Sequence, residues 1–210
     1  MMSMKNALKA QFFHITNTYT ASHEIASDLW NEIETAYTGK KRYYHNLQHI
    51  HYMWQLASKH QQYIPDYKVL LWAIFYHDLV YNVSYGNNEL KSANIAVARM
   101  AQLGISKTEQ QLCHDLIMAT KHHNATSTTA AYMVDFDLAI LGTSPEVYAT
   151  YNQNIRKEYA IYPMCMYKKR RIKVLEHFLA MERIFKTDTF YTLLESKAHE
   201  NLFEELKGLR

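Results

Sequence analysis

The segment from Val69 to Tyr76 most constrains the fold, because all eight of its residues are apolar or aromatic. It is far shorter than the roughly 20 residues that a membrane-spanning helix needs. A helix that is apolar on nearly all sides has to be covered by neighbouring elements all round. We therefore predict a central buried helix over about 66–80, with His77 and Asp78 close to its end.

Helical periodicity extends along most of the chain. One set of apolar residues recurs at i, i+4, i+5, i+8 and i+12, namely Ile25, Leu29, Trp30, Ile33 and Tyr37. The 5 glycines and 3 prolines are too few for the frequent turns of a sandwich or barrel. Further helices are predicted from near residue 45, over about 89–103 and 106–122, from the end of a loop at 124–129 to 141, and over about 144–159, 167–185 and 190–206. We expect an all-α fold, a single compact domain over 1–210 with about eight or nine helices.

Composition limits the function classes. The net charge is only +3, so nucleic acid is not expected as a partner, although the basic run 168–171 leaves RNA binding as a remote alternative. Cys113 and Cys165 cannot form a disulfide framework. The first residues lack the apolar region of a signal peptide. We expect a cytoplasmic protein without a membrane partner, and a homo-oligomer stays open.

Side chains that bind divalent metal ions accompany the buried run. They are His45, His49, His77, Asp78, Asp135 and Asp137. His45 and His49 would project from one face if both were helical. Adjacent helical side chains diverge by about 100°, so a metal shared by His77 and Asp78 has to lie beside the helix. A carboxylate in so apolar a setting needs a partner or a metal to offset desolvation, which favours ligands over a core histidine.

Five segments carry a resemblance to a known family. They are 42–50 (RYYHNLQHI), 75–81 (FYHDLVY), 88–89 with 92–93 (NE and SA), 135–142 (DFDLAILG) and 155–159 (IRKEY). In order and spacing the chain resembles the HD-domain superfamily of metal-dependent phosphohydrolases, and more closely an uncharacterised branch of small bacterial predicted phosphohydrolases. The resemblance covers most of the chain and implies an HD-type helical domain.

The resemblance also implies a site with four metal ligands. The implied ligands are His49, His77, Asp78 and Asp137. The string 44–49 is similar to the signature of cyclic nucleotide phosphodiesterases, in which the first histidine donates a proton and the second binds metal. This similarity assigns His45 as the general acid and His49 as the metal ligand. Which of the two histidines binds the metal stays open. Asp135 is then a hydrogen-bonding neighbour of the ligands, or an alternative ligand to Asp137.

A second metal ion stays open. Many members of the superfamily hold it with two further histidines, and here Glu89 occupies the first of those places while His122 and His123 lie near the second. Histidines at a helix C-terminus also simply favour the helix dipole. The cofactor is therefore one or two divalent ions, and Mn, Mg, Fe, Co, Ni and Zn all suit such ligands.

The implied reaction is metal-assisted hydrolysis of a phosphate ester, with a small phosphorylated substrate such as a nucleotide. Asp78 or Glu89 would accept a proton, and His45 would protonate the leaving oxygen. Candidate phosphate-binding residues are Lys121, Arg156, Arg170 and Arg171. Two alternatives belong to other classes, a non-catalytic metal-bound nucleotide sensor and a di-iron oxygenase of the HD type.

Overall fold

A computed structural model describes residues 3–20 and 22–210. Within these residues the chain is all-helical, without a strand. The α-helices are α1 Met4–Thr16, α2 His23–Tyr37, α3 Leu47–His60, α4 Tyr67–Tyr76, α5 Asn88–Gln102, α6 Lys107–His122, α7 Thr128–Leu138, α8 Pro145–Glu158, α9 Met164–Leu179 and α10 Asp188–Leu209. Two 3₁₀-helices cover Gln61–Tyr63 and Ala139–Gly142. The predicted all-α class is confirmed.

The expected number of helices was too small because α1 was not predicted. Leu8, Phe12 and Ile15 follow one another at helical spacing and are at most 3% exposed. The ring of Phe12 lies 5.6 Å from that of Trp72 and 5.1 Å from that of Phe75, measured between centroids. α1 therefore covers one side of the central helix.

The central helix is α4, as predicted. Its residues from Val69 to Tyr76 are all buried, and it packs against α1, α3, α5, α6 and α7. A helix without a polar face requires such complete covering. The buried apolar side chains form one cluster around it.

The predicted end of this helix near residue 80 was wrong. α4 ends at Tyr76, and the amide of Leu79 already donates to the carbonyl of Tyr76 in a tighter turn. The guanidinium of Arg42 donates to the carbonyls of Asp78 and Leu79 at 2.7 and 2.8 Å. Carbonyls at a helix end need partners from outside the helix. Arg42 supplies them, and His77 and Asp78 therefore lie in the turn that follows α4 rather than inside a regular helix.

The predicted end of α9 near residue 185 was also wrong, because the helix stops at Leu179. Ile184 and Phe185 are buried in the connection to α10, and their amides donate to the carboxylate of Glu195. Apolar residues continued the helical pattern past the true end. Backbone hydrogen bonds to a buried carboxylate replace the helical ones there.

No helix among the described residues is long and apolar enough to cross a membrane.

Candidate metal centre

The ends of three helices meet at the predicted ligands. Asn46 caps the N-terminus of α3, and its Oδ1 accepts a hydrogen bond from the amide of Gln48 at 2.8 Å. His49 therefore lies in the first turn of α3, whereas His45 precedes the helix. The expectation of a helix starting near His45 is corrected by this cap. The two imidazole rings are nevertheless close, with centroids 6.0 Å apart.

Four of the predicted side chains converge around the Nε2 atom of His77. The Nε2 of His49 lies 3.2 Å from it, and the Oδ2 of Asp78 also lies 3.2 Å from it. Asp137, near the end of α7, places Oδ1 3.2 Å from His49 Nε2 and 3.7 Å from His77 Nε2. We call these four residues the metal cluster. The adjacent His77 and Asp78 do reach one point, because the helix has ended beside them.

The ring of His77 is held by the backbone. Its Nδ1 donates to the carbonyl oxygen of Ile74 at 2.9 Å, so a neutral ring has its lone pair on Nε2. That lone pair faces the carboxylate oxygens of Asp78 and Asp137. Acceptors that face one another at hydrogen-bond distance need a positive charge between them. Such an arrangement suits a cation.

Burial and the charges of neighbouring side chains together determine the pKa values of the cluster residues. Burial would lower the pKa of His77, but the carboxylates of Asp78 and Asp137 outweigh it and raise the pKa to about 9. Burial would raise the pKa of Asp78, yet the charges of His77 and His45 hold it far below its ordinary range. For His49, burial dominates and lowers the pKa, so its imidazole is neutral at pH 7. The cluster thus attracts positive charge and offers a neutral histidine ligand.

This donor set fits a divalent metal ion. His49, His77 and Asp78 each offer one ligand atom, and these three atoms lie within 4.8 Å of one another. The histidine side chains are only 1% and 2% exposed, and the Asp78 side chain 14%. Two imidazoles and a carboxylate suit several first-row metals and contain no thiolate. A buried group that can hold a metal ion is therefore present.

His45 lies beside the cluster and is held by a residue that the sequence analysis did not single out. The Nδ1 of His45 donates to Glu158 Oε2 at 2.6 Å, and its Nε2 lies 3.9 Å from Asp78 Oδ2. The ring also stacks on Tyr81, with centroids 4.2 Å apart. Burial would lower the pKa of His45, but Asp78 and Glu158 outweigh it and raise the pKa. His45 is therefore oriented with one nitrogen on Glu158 and the other toward the cluster.

Glu158 is a fully buried carboxylate that accepts four hydrogen bonds. Its side chain is 0% exposed. Besides His45, the donors are the amides of Tyr44 and His45 and the hydroxyl of Tyr81, at 2.8, 3.0 and 2.9 Å. The sequence did contain a signal for it. Glu158 follows Tyr151 and Ile155 at helical spacing, at a position on α8 where an apolar residue is expected.

A cavity of about 400 Å³ opens on the metal cluster, and we call it the front cavity. Its lining includes nine predicted site residues, which are His45, His77, Asp78, Glu89, Lys121, His123, Asp137, Arg170 and Arg171. Five tyrosines also line it, Tyr81, Tyr85, Tyr151, Tyr159 and Tyr167. The cavity therefore combines basic and aromatic side chains next to the candidate ligands.

The predicted phosphate-binding residues differ in their contacts. Lys121 and Arg170 line the front cavity, with the Arg170 guanidinium above the ring of Tyr162. Arg171 lines it too, but its guanidinium makes two hydrogen bonds to Glu205 at 2.7 and 2.8 Å. Arg156 does not line the cavity, because its guanidinium donates to the carbonyls of Tyr159 and Tyr162. Lys121 and Arg170 are thus the better placed cations.

The predicted additional ligands do not join the cluster. The carboxylate of Asp135 accepts hydrogen bonds from the amides of Lys186 and Thr187 at 2.6 and 2.8 Å, and from the Thr187 hydroxyl. His122 lines a different cavity, whereas His123 lines the front cavity. Burial lowers the pKa of His123 to about 4, so its imidazole is neutral at pH 7. Glu89 borders the front cavity at the start of α5 and makes no hydrogen bond or ion pair with the four residues of the cluster.

Comparison with protein-family models, with curated proteins and with solved structures finds no match to this chain.

Proposed function

We propose that this protein is a metal-dependent phosphohydrolase of the HD type that acts on a small phosphorylated substrate. The observation that carries the proposal is the convergence of His49, His77, Asp78 and Asp137 on one point beside the front cavity. The order of these residues along the chain, one early histidine, an adjacent His-Asp pair and one late aspartate, resembles the ligand set of the HD superfamily.

The metal ligands in this proposal are the four residues of the metal cluster. A divalent cation bound there would supply the Lewis acidity that activates water and stabilises charge on the phosphoryl group. Asp78 belongs to the cluster and also lines the front cavity, and we assign its carboxylate to accept a proton from the attacking water. Glu89 borders the same cavity and is the second candidate for this role.

His45 is the proposed general acid. Its Nε2 is directed toward Asp78, and it borders the front cavity, so a proton on Nε2 can reach the leaving oxygen of a bound ester. Glu158 acts through His45 as a positioning residue. It fixes the ring by the hydrogen bond to Nδ1 and favours the protonated state.

The substrate is proposed to be a phosphate ester with an aromatic or heterocyclic group, such as a nucleotide. Lys121 and Arg170 would neutralise phosphate charge, and the tyrosines of the front cavity offer faces for stacking. A cavity of about 400 Å³ limits the substrate to the size of a small metabolite. Long polymers do not fit inside it.

The experiment is a screen of phosphomonoesters, cyclic nucleotides, and nucleoside mono- and triphosphates in the presence of Mn²⁺, Mg²⁺, Co²⁺ or Fe²⁺. The phosphate or nucleotide product is measured. The wild type is compared with Asp78→Asn, and with Asp115→Asn as a control at an exposed carboxylate on α6. We expect turnover in the wild type and the control and a loss of at least a hundredfold in Asp78→Asn. Activity retained in Asp78→Asn, or no turnover by fully metal-loaded wild type, would refute the proposal.

A further inference from the structure

A second cavity, of about 410 Å³, is lined by His49 but by no other member of the metal cluster. We call it the rear groove. Its walls are α3 and α8, which are not among the closely packed helix pairs of the fold. From α3 the groove is lined by Gln48, His51, Tyr52 and Gln55. This spacing of i, i+3, i+4 and i+7 places them on one face of the helix.

The face of α8 repeats this spacing with Val147, Thr150, Tyr151 and Asn154. Neither wall contributes an aspartate, glutamate, lysine or arginine to the described lining. The front cavity, in contrast, is lined by acidic and basic side chains. The rear groove is therefore aromatic and amide-rich but uncharged.

Two buried polar atoms at the rear groove have no hydrogen-bond partner among the described residues. They are the Nδ1 of His49 and the hydroxyl of Tyr44, and both residues line the groove. The side chain of His49 is only 1% exposed. A buried polar atom without a partner is costly and rare, so each calls for an occupant that pairs with it.

The missing partner of His49 is a hydrogen-bond acceptor. With a metal ion on Nε2, as the proposed function has it, a neutral imidazole carries its proton on Nδ1. Metal-binding histidines almost always donate this second N–H to an acceptor. His77 does so, to the carbonyl of Ile74 at 2.9 Å. No described residue supplies an acceptor to Nδ1 of His49, and the groove that His49 lines is where one can enter.

We propose that the rear groove binds an uncharged, planar heterocyclic amide of the nucleobase or nucleoside type. A ring carbonyl of this ligand accepts from His49 Nδ1, and the amide groups of Gln55 and Asn154 pair with its other polar edges. The tyrosine rings of the groove contact its faces. The volume lies within the range of about 300–1,000 Å³ that is usual for small-molecule sites. An ionised phosphate has no counter-charge there, which separates this ligand from the substrate of the front cavity.

The inference rests on the proposed function in one respect, that His49 is a metal ligand. A ligand that fixes the His49 ring makes metal binding tighter, and the metal in turn makes ligand binding tighter by the same factor. The rear groove would thus act as an effector site that couples nucleoside binding to metal loading.

The test is calorimetric titration of the protein, loaded with Mn²⁺ and metal-free, with guanosine, cytidine and uridine, and with adenosine, which has no ring carbonyl, as the control. We expect one of the three nucleosides with a ring carbonyl to bind with a stoichiometry of one per chain, and adenosine to bind more weakly. Saturating inorganic phosphate, which carries the charge that suits the front cavity, should not displace it. Removal of Mn²⁺ should weaken binding at least threefold.

Two variants test whether the nucleoside binds in the rear groove. Thr150 is exposed on the groove wall, and Thr150→Trp fills the groove without disturbing the core. Gln153→Trp introduces the same side chain at an exposed position of α8 that does not line the groove. We expect at least a tenfold loss of nucleoside affinity in Thr150→Trp and wild-type affinity in Gln153→Trp, with unchanged Mn²⁺ content and thermal unfolding in both.

The proposal is overturned if none of guanosine, cytidine and uridine binds, if Thr150→Trp binds the nucleoside as well as wild type does, or if phosphate displaces the nucleoside. Elemental analysis of the same samples separates this result from the proposed function. Protein that binds no Mn²⁺ but binds a nucleoside that Thr150→Trp excludes would refute the metal site and support the groove. Metal-dependent hydrolysis without nucleoside binding would support the metal site and overturn the proposal for the rear groove.

Discussion

His45 and Glu158 are 113 positions apart in the chain, yet His45 Nδ1 lies 2.6 Å from Glu158 Oε2. The same carboxylate accepts from the amide of His45 and the hydroxyl of Tyr81. Glu158 therefore binds the backbone and the ring of one residue and holds the ring against Tyr81. This arrangement aligns the other nitrogen of His45 with the metal cluster.

We predict that Glu158→Gln lowers kcat selectively for substrates with poor leaving groups. A general acid contributes about 10²–10⁴-fold to a reaction, and a glutamine holds the ring less well and does not stabilise imidazolium. Alkyl phosphates need protonation of the leaving oxygen, whereas 4-nitrophenyl phosphate does not. We expect a loss of about tenfold to a hundredfold with the alkyl ester and less than threefold with the nitrophenyl ester.

The matched variant is Tyr81→Phe, which removes one of the other donors to Glu158 but leaves the His45 contact. It should show a smaller change in the same direction. Metal content should equal that of wild type in both variants. An equal loss with both esters would mean that Glu158 only supports the fold, and would remove its positioning role.

A different role is predicted for Asp135. Because its carboxylate accepts hydrogen bonds from the amides of Lys186 and Thr187 ahead of α10, Asp135→Ala leaves two partly buried donors without partners. Each such loss costs about 1–3 kcal/mol. We expect the free energy of unfolding to fall by at least this amount in urea titrations, with full metal content in the folded protein. Loss of metal without loss of stability would instead support Asp135 as a ligand.

Gly142 is predicted to be a steric requirement of the fold. A Cβ atom there would lie 2.6 Å from the Cβ and 2.8 Å from the carbonyl oxygen of Leu194 on α10. Gly142→Ala should therefore destabilise the protein by about 1–3 kcal/mol through overpacking. Gly208→Ala is the control, since a Cβ at this helical glycine meets nothing within 4 Å. It should be neutral or stabilise by up to about 1 kcal/mol. Equal effects in thermal unfolding would contradict the close contact.

Metal binding should depend on pH through His77. In the metal-free protein the pKa of His77 is about 9, so its imidazole is protonated at pH 7 and has to lose a proton when a metal binds. Apparent Mn²⁺ affinity should thus rise about tenfold per pH unit from pH 7 to 8.5 and level off above 9. Calorimetry in buffers of different ionisation enthalpy should show about one proton released per ion at pH 7. Affinity independent of pH over this range would exclude His77 as a ligand.

Much of the fold could be predicted because helices leave local signals. The apolar run from Val69 to Tyr76 identified the buried centre, and the predicted start near residue 106 agrees with α6, where Ser106 and Glu109 form a capping box. The ends of α4 and α9 could not be predicted in the same way. They are set by Arg42 and Glu195, which are distant along the chain and satisfy backbone groups only in the folded state.

In the candidate site, too, some residues could be predicted from the sequence and others depend on contacts made only in the folded chain. The resemblance to the HD superfamily implied His49, His77, Asp78 and Asp137 as ligands, with His45 and Asp135 as alternatives, and the structure brings the first four together. The role of Glu158 depends on a contact between distant segments and was not predictable from residue type alone. For Asp135 and Asp137 the decisive fact is the direction of each side chain on α7, and two aspartates separated by one residue do not reveal this direction in a sequence.

The most direct test of the metal centre is the metal content of purified protein, measured by elemental analysis after loading with Mn²⁺ and gel filtration. We predict at least one tightly bound ion per chain in wild type, less than a tenth of that in His77→Ala and in Asp137→Ala, and wild-type content in Asp115→Ala. Thermal unfolding measured on the same samples would show that the variants remain folded. Full metal content in folded His77→Ala and Asp137→Ala would contradict the account.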